Sequence, residues 1–101
     1  MTISGAKYKF TNKSIANAPM YIGVYALYDG NTTIYIGKAE GEGGIRNRLQ
    51  AHKRGDMGRC TQRATAYRCE YSKNPSAREI ELLEGYLRTY GKLPRCNERI
   101  G

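Results

Sequence analysis

Tyr25 and Tyr35 stand ten residues apart in the segment GVYALYDGNTTIYIGK (23–38), with Gly23 just ahead of the first and Gly37 just behind the second. A phenol can position a water molecule, or take its proton once cations depress a pKa that is about 10 in isolation. Arg48 and His52 follow in IRNRLQAHKR (45–54), and Glu84 in LLEGYL (82–87). An arginine with an imidazole suits a phosphate site, and a carboxylate can hold a metal ion.

Each residue also has a plainer reading. The chain holds nine tyrosines, one phenylalanine and no tryptophan, so most tyrosines must serve as packing residues with wet hydroxyls. On a helical wheel with Ile45 at zero, Leu49, His52 and Arg48 fall at about +40°, −20° and −60°, and Arg46 at about +100°. Arg48 therefore borders the inward face, where it could snorkel along the apolar edge or join His52 in a phosphate site. With Ile80 at zero, Leu87, Leu83 and Tyr90 fall at about −20°, −60° and −80°, Glu84 at about +40° and Glu81 at about +100°. Glu84 lies beside that apolar stripe, where an unpaired carboxylate is costly. It could pair with Arg88 one turn on, or face a cleft and hold a metal ion.

The elements that must position these residues can be read coarsely. Residues 20–28 and 33–37 have strand composition, and Asp29-Gly30-Asn31 between them predicts a hairpin that brings Tyr25 and Tyr35 close. The glycine-rich AEGEGG (39–44) predicts a loop, 45–54 a helix stopped by Gly55, and the alternation in 64–71 a third strand. A final helix is expected up to Gly91, with Ser76 and Glu79 as a capping box. Residues 1–19 read as an irregular arm, or as an edge segment packed through Tyr8 and Phe10, ahead of a single domain over 20–101. The expected fold is α+β: a small, mainly antiparallel three-stranded sheet with flanking helices, in the order ββαβα.

Composition sets limits. One domain is the default for 101 residues. Seventeen Lys and Arg against nine Asp and Glu leave a net charge of +8, which favours a polyanionic partner. Arg46, Arg48, Lys53, Arg54, Arg59, Arg63 and Arg68 lie between positions 45 and 68 with Asp56 as the only acid, and are expected to track phosphates. Cys60, Cys69 and Cys96 form no C-x-x-C pair and have one histidine for company, which argues against a disulfide framework or a zinc site and for a reducing, cytoplasmic compartment. No apolar run is long enough to span a bilayer, and no membrane partner is expected.

Taken in order, Gly23-Val24-Tyr25, Tyr35-Ile36-Gly37, Arg48-x-x-x-His52, Glu84 and Pro94-Arg95-Cys96-Asn97 resemble the GIY-YIG nuclease domain family over residues 21–97. Val24 stands where the family usually has isoleucine, and Cys96 where tyrosine is common. The resemblance implies a metal-dependent DNA endonuclease hydrolysing phosphodiester bonds with one Mg²⁺ or Mn²⁺ per site. Carried over by position, Glu84 would hold the ion, Tyr25 would be the base or position the attacking water, and Tyr35 would orient the site. Arg48 would stabilise phosphate charge with His52 assisting, Lys38 could bond a tyrosine hydroxyl, and Gly23, Gly37 and Asn97 would support the site. The implied partner is double-stranded or branched DNA, with targeting left to a homodimer or a separate specificity partner, and a phage or mobile element as the expected source. The alternatives on the same fold are a catalytically silent nucleic-acid-binding module and a protein-interaction domain.

Overall fold

The computed structural model describes residues 3–98. Eight elements follow one another: β1 (Tyr8–Lys9), α1 (Asn12–Ile15), β2 (Gly23–Asp29), β3 (Thr32–Ala39), α2 (Gly44–Arg54), α3 (Arg59–Gln62), β4 (Ala66–Tyr71) and α4 (Pro75–Tyr90). The architecture is α+β as expected, but the sheet has four strands in the order β1-β4-β2-β3, all antiparallel. Part of the expected irregular arm supplies the additional strand, through Tyr8 and Lys9 opposite Tyr67 and Ala66. Phe10 beside them is buried against Tyr67, so apolar burial fixes this segment where local propensity is weak. Two short helices, α1 and α3, also depart from the expected ββαβα order.

The β2–β3 hairpin forms where the turn chemistry places it, with Gly30 at φ +61°. Its register skips one residue: Leu27 faces Tyr35, whereas Tyr28 faces Thr33, and Ile34 bulges out between them. The bulge turns Ile34 into the same core as Tyr25 and Leu27. Gly23 lets β2 approach β4 closely, since a Cβ there would stand 2.1 Å from the Glu70 carbonyl oxygen.

The sheet buries both faces. Tyr25, Leu27 and Tyr67 pack under Phe10, Ile15, Ile45 and Leu49 from the α1–α2 side. Val24, Ala26 and Ile36, on the opposite face, pack under Leu82 and Leu83 of α4. Gly43 and Gly55 bracket α2 with left-handed backbone, at φ +82° and +90°. Asn74 caps α4 by accepting from the Ala77 amide, and Pro75 opens the helix.

The expectation of unpaired cysteines is overturned. Cys60 of α3 and Cys96 are joined in a disulfide, and Cys69 is free. Their 36-residue separation gave no local signal, because α3 and the C-terminal segment meet only in the folded chain. Among the described residues no helix is long and apolar enough to cross a membrane.

Candidate active site

Beyond the end of β3, between α2 and α4, a cleft of about 620 Å³ is lined by Tyr35, Lys38, Glu40, Gly41, Glu42, Asn47, Arg48 and Glu79. Two polar atoms of the residues that line it are buried and without hydrogen-bond partners: Nε of Arg48 and Oε1 of Glu79. Glu79 is 7% exposed, and desolvation pushes its pKa up despite the nearby Lys38 and Arg48. A buried carboxylate oxygen with no partner is costly. A hard divalent cation, which keeps most of its waters and needs one or two protein oxygens, fits this donor set. Among the described residues no group of three or more His, Cys, Asp or Glu side chains is placed to hold a metal, so a site here would be of that sparse kind.

The carboxylate is not the one expected. Glu84 is exposed on the outer side of α4 and does not line the cleft. The helix buries Pro75, Glu79, Leu82 and Leu83, a stripe centred about 100° from the one drawn through Ile80 and Leu87. Ile80 and Leu87 are 38% and 39% exposed. Nor is Glu79 spent in a capping box: Asn74 is the cap, and the Ser76 hydroxyl instead bridges Lys38 and Glu40 across 2.8 and 3.1 Å. Lys38 is thus held at the rim by Ser76 and Glu40, not by a tyrosine hydroxyl.

The hairpin does bring the two tyrosines together, with ring centroids 6.1 Å apart. Gly37 makes room for them, since a Cβ at that position would lie 2.6 Å from Tyr25 Oη and from Tyr35 Cε2. Their surroundings differ. Tyr35 opens on the cleft, whereas Tyr25 is wholly buried with its hydroxyl 2.8 Å from His52 Nε2. His52 is likewise buried, its Nδ1 lying 2.7 Å from Thr61 Oγ1, so the imidazole serves the tyrosine and not a phosphate. Desolvation dominates at Tyr25 and raises its pKa, with Tyr35 adding to the rise and Arg48 opposing it. Desolvation raises Tyr35 as well, opposed by Arg48 and by hydrogen bonding to Tyr25. His52 is pushed down to about 4 by burial and by Arg48, and is neutral at pH 7.

Asn97 holds the far edge of β3: its Oδ1 accepts from the Ile36 amide at 2.9 Å and its Nδ2 donates to the Ile36 carbonyl at 3.0 Å. The basic residues are dispersed. Arg59 and Arg63 are exposed around α3, and Arg54 is exposed but paired with Asp56. Lys53 lies over the Phe10 ring, and Arg46 donates to the Ala18 carbonyl. Arg68 pairs in register with Ala26, on the sheet face opposite α2, and donates to Gly5, so it does not belong to one surface with the rest. Sequence reasoning missed Glu79 and Thr61. The signal for Glu79 was Asn74-Pro75, a stronger helix start than Ser76; Thr61 carried none.

The fold is similar to that of solved structures of the N-terminal GIY-YIG endonuclease domain of UvrC from Thermotoga maritima. Two of them, both tyrosine-to-phenylalanine point mutants bound to the catalytic divalent cation, are 27% and 26% identical to this chain. Each match covers 86% of this chain and 93% of the other, at a TM-score of 0.61. The chain folds as a GIY-YIG domain. At the level of sequence alone, no family model and no curated protein matches it. In this GIY-YIG domain the paired tyrosines of the two motif strands, Arg48 and the α4 carboxylate are gathered around one end of β3.

Proposed function

We infer that this chain is a divalent-metal-dependent endonuclease that hydrolyses phosphodiester bonds of DNA. The observation that carries the reading is the unpartnered, buried oxygen of Glu79, a residue that lines a cleft with Tyr35 and Arg48, in a fold whose solved counterparts are endonuclease domains bound to a divalent cation. Glu79 takes the place first given to Glu84 as the residue that would hold a single Mg²⁺ or Mn²⁺. When bound, such an ion supplies a Lewis acid at the phosphate and a water of lowered pKa.

The chain's own residues do the rest. Arg48 lines the cleft and its Nε has no partner, so its guanidinium is the cation placed to stabilise a phosphate oxygen gaining charge. Tyr35 is the tyrosine that lines the cleft, where its hydroxyl can position a water. Tyr25, first assigned as the base, stands behind it as its hydrogen-bonding support. In hydrolysis the water oxygen bonds to phosphorus and the P–O bond to the leaving deoxyribose oxygen breaks; the Tyr35 oxygen takes the water proton as it releases its own to solvent in the cleft, and the leaving oxygen takes a proton from solvent. Lys38 and Glu40, fixed by Ser76, frame the rim.

Supercoiled plasmid with Mg²⁺ tests this. Wild type and Glu84→Gln should nick; chelator, or Glu79→Gln, should reduce nicking by about 10² or more while DNA binding persists. Loss in Glu84→Gln with activity kept in Glu79→Gln would return the site to Glu84. Binding without nicking in the wild type would leave a silent nucleic-acid-binding module. The protein-interaction reading draws on Ile80, Leu87 and Tyr90, exposed along α4, and requires neither binding nor nicking.

A further inference from the structure

Thr61 is 3% exposed, and its Oγ1 lies 2.7 Å from Nδ1 of His52, whose Nε2 is 2.8 Å from Tyr25 Oη. A neutral imidazole has one N–H, so one ring nitrogen donates and the other accepts. If Nδ1 carries the proton, Thr61 accepts and its own buried hydroxyl proton has no acceptor, because Thr61 Oγ1 makes no other hydrogen bond among the described residues. A buried donor left in that state is costly. If Thr61 donates instead, the ring proton sits on Nε2 and points at Tyr25 Oη. The proton of Tyr25 is then free for Tyr35, the only other tyrosine packed against the Tyr25 ring among the described residues. With Tyr35 as the acceptor for Tyr25, no donor of the buried row is left unpaired. Hydrogen bonding from Tyr25, which lowers the Tyr35 pKa, agrees with that direction.

We propose that Thr61 is a positioning residue: its hydroxyl holds His52 as the Nε2–H tautomer, and so aims a row of hydrogen bonds from Thr61 through His52 and Tyr25 at Tyr35, the tyrosine that opens on the cleft. Each group in the row donates to the next. The Tyr35 oxygen therefore receives a donor from behind, which supports its negative charge when its own proton leaves toward the cleft. The charged or titratable groups around the row are Arg48 from α2, Tyr35 from β3 and Glu79 from α4.

The consequence for cleavage rests on the nuclease reading, whereas the tautomer does not. His52 is the only histidine, so the wild-type protein labelled with ¹⁵N-histidine gives one pair of ring nitrogen signals. A protonated Nε2 and an unprotonated Nδ1 are expected near neutral pH in wild type and in Thr61→Ser. Thr61→Val, of the same shape without the hydroxyl, should show a reversed or mixed tautomer, and kcat for plasmid nicking should fall about tenfold or more with KM unchanged. Thr61→Ser should nick at the wild-type rate. A protonated Nδ1 in wild type overturns the proposal, as does a Thr61→Val protein that keeps both the wild-type tautomer and the wild-type kcat. If Thr61→Val does not fold, the tautomers of wild type and Thr61→Ser still decide. A wild type that nicks no DNA removes the nuclease reading and leaves the tautomer result standing.

Discussion

An imidazole buried as completely as His52 carries a charge only at a penalty, and that penalty makes stability depend on pH. Its folded pKa is pushed down to about 4, against about 6.5 in an unfolded chain. Between those values the unfolded state binds the proton and the folded state does not. Stability therefore falls as pH drops from about 6.5 toward 4, by up to about 3 kcal/mol, and is flat for this group above pH 7. Thermal melts from pH 7 down to 4.5 should show this decline in wild type and a shallower one in His52→Gln; equal slopes would assign the loss to other groups. Residue types were the most legible part of the site: Tyr25, Tyr35, Arg48 and His52 all converge on one end of the sheet. The carboxylate was not, because α4 spreads Ile80, Leu82, Leu83, Tyr86, Leu87 and Tyr90 over much of its circumference. A wheel drawn through any three of them finds a stripe, and only the sheet beneath chooses Leu82 and Leu83.

At the scale of elements, the hairpin works because one of its residues has no side chain. Gly37→Ala must push the two tyrosine rings apart, since its Cβ would meet both at 2.6 Å in a core already filled. We predict a loss of about 1 to 3 kcal/mol by denaturant unfolding and, in the same protein, weaker nicking than in wild type. A stable and fully active Gly37→Ala would show that the rings can part freely. The hairpin, α2 with its Gly55 stop and the third strand of the expected sheet were all readable, since turn chemistry and periodicity act over a few residues. The helices α1 and α3 were not, and β1 was readable only as the alternative of an edge segment packed through Tyr8 and Phe10. They span two and four residues, too few to carry a period, and are held by contacts to distant parts of the chain such as Tyr8 with Tyr67.

Over the whole molecule, charge and cross-linking make separate predictions. With a net +8, DNA binding should weaken with salt. Replacing the exposed Arg59 and Arg63 with alanine should reduce the log–log salt slope by about 0.9 for each phosphate that is no longer neutralised, while Arg68→Ala on the far face leaves it unchanged. An altered slope in Arg68→Ala alone would place the DNA on the other side. The Cys60–Cys96 bond closes a loop of 36 residues in separation, so reduction, or Cys96→Ser, should lower unfolding free energy by about 4 kcal/mol. An unchanged melting temperature under reducing agent would show that the cross-link contributes nothing.

The sheet's two outer borders bear on a different matter, whether copies of this protein clump. A bare border presents unpaired amides and carbonyls as a template for another chain. One border here is β1, two residues long and ending in Lys9, too short and too charged to recruit a strand. The other is β3, where the Asn97 side chain occupies both polar groups of Ile36 and the Cys96 amide takes the Ile34 carbonyl. Asn97 thus acts as a stopper against self-templating as well as a prop for the strand that carries Tyr35.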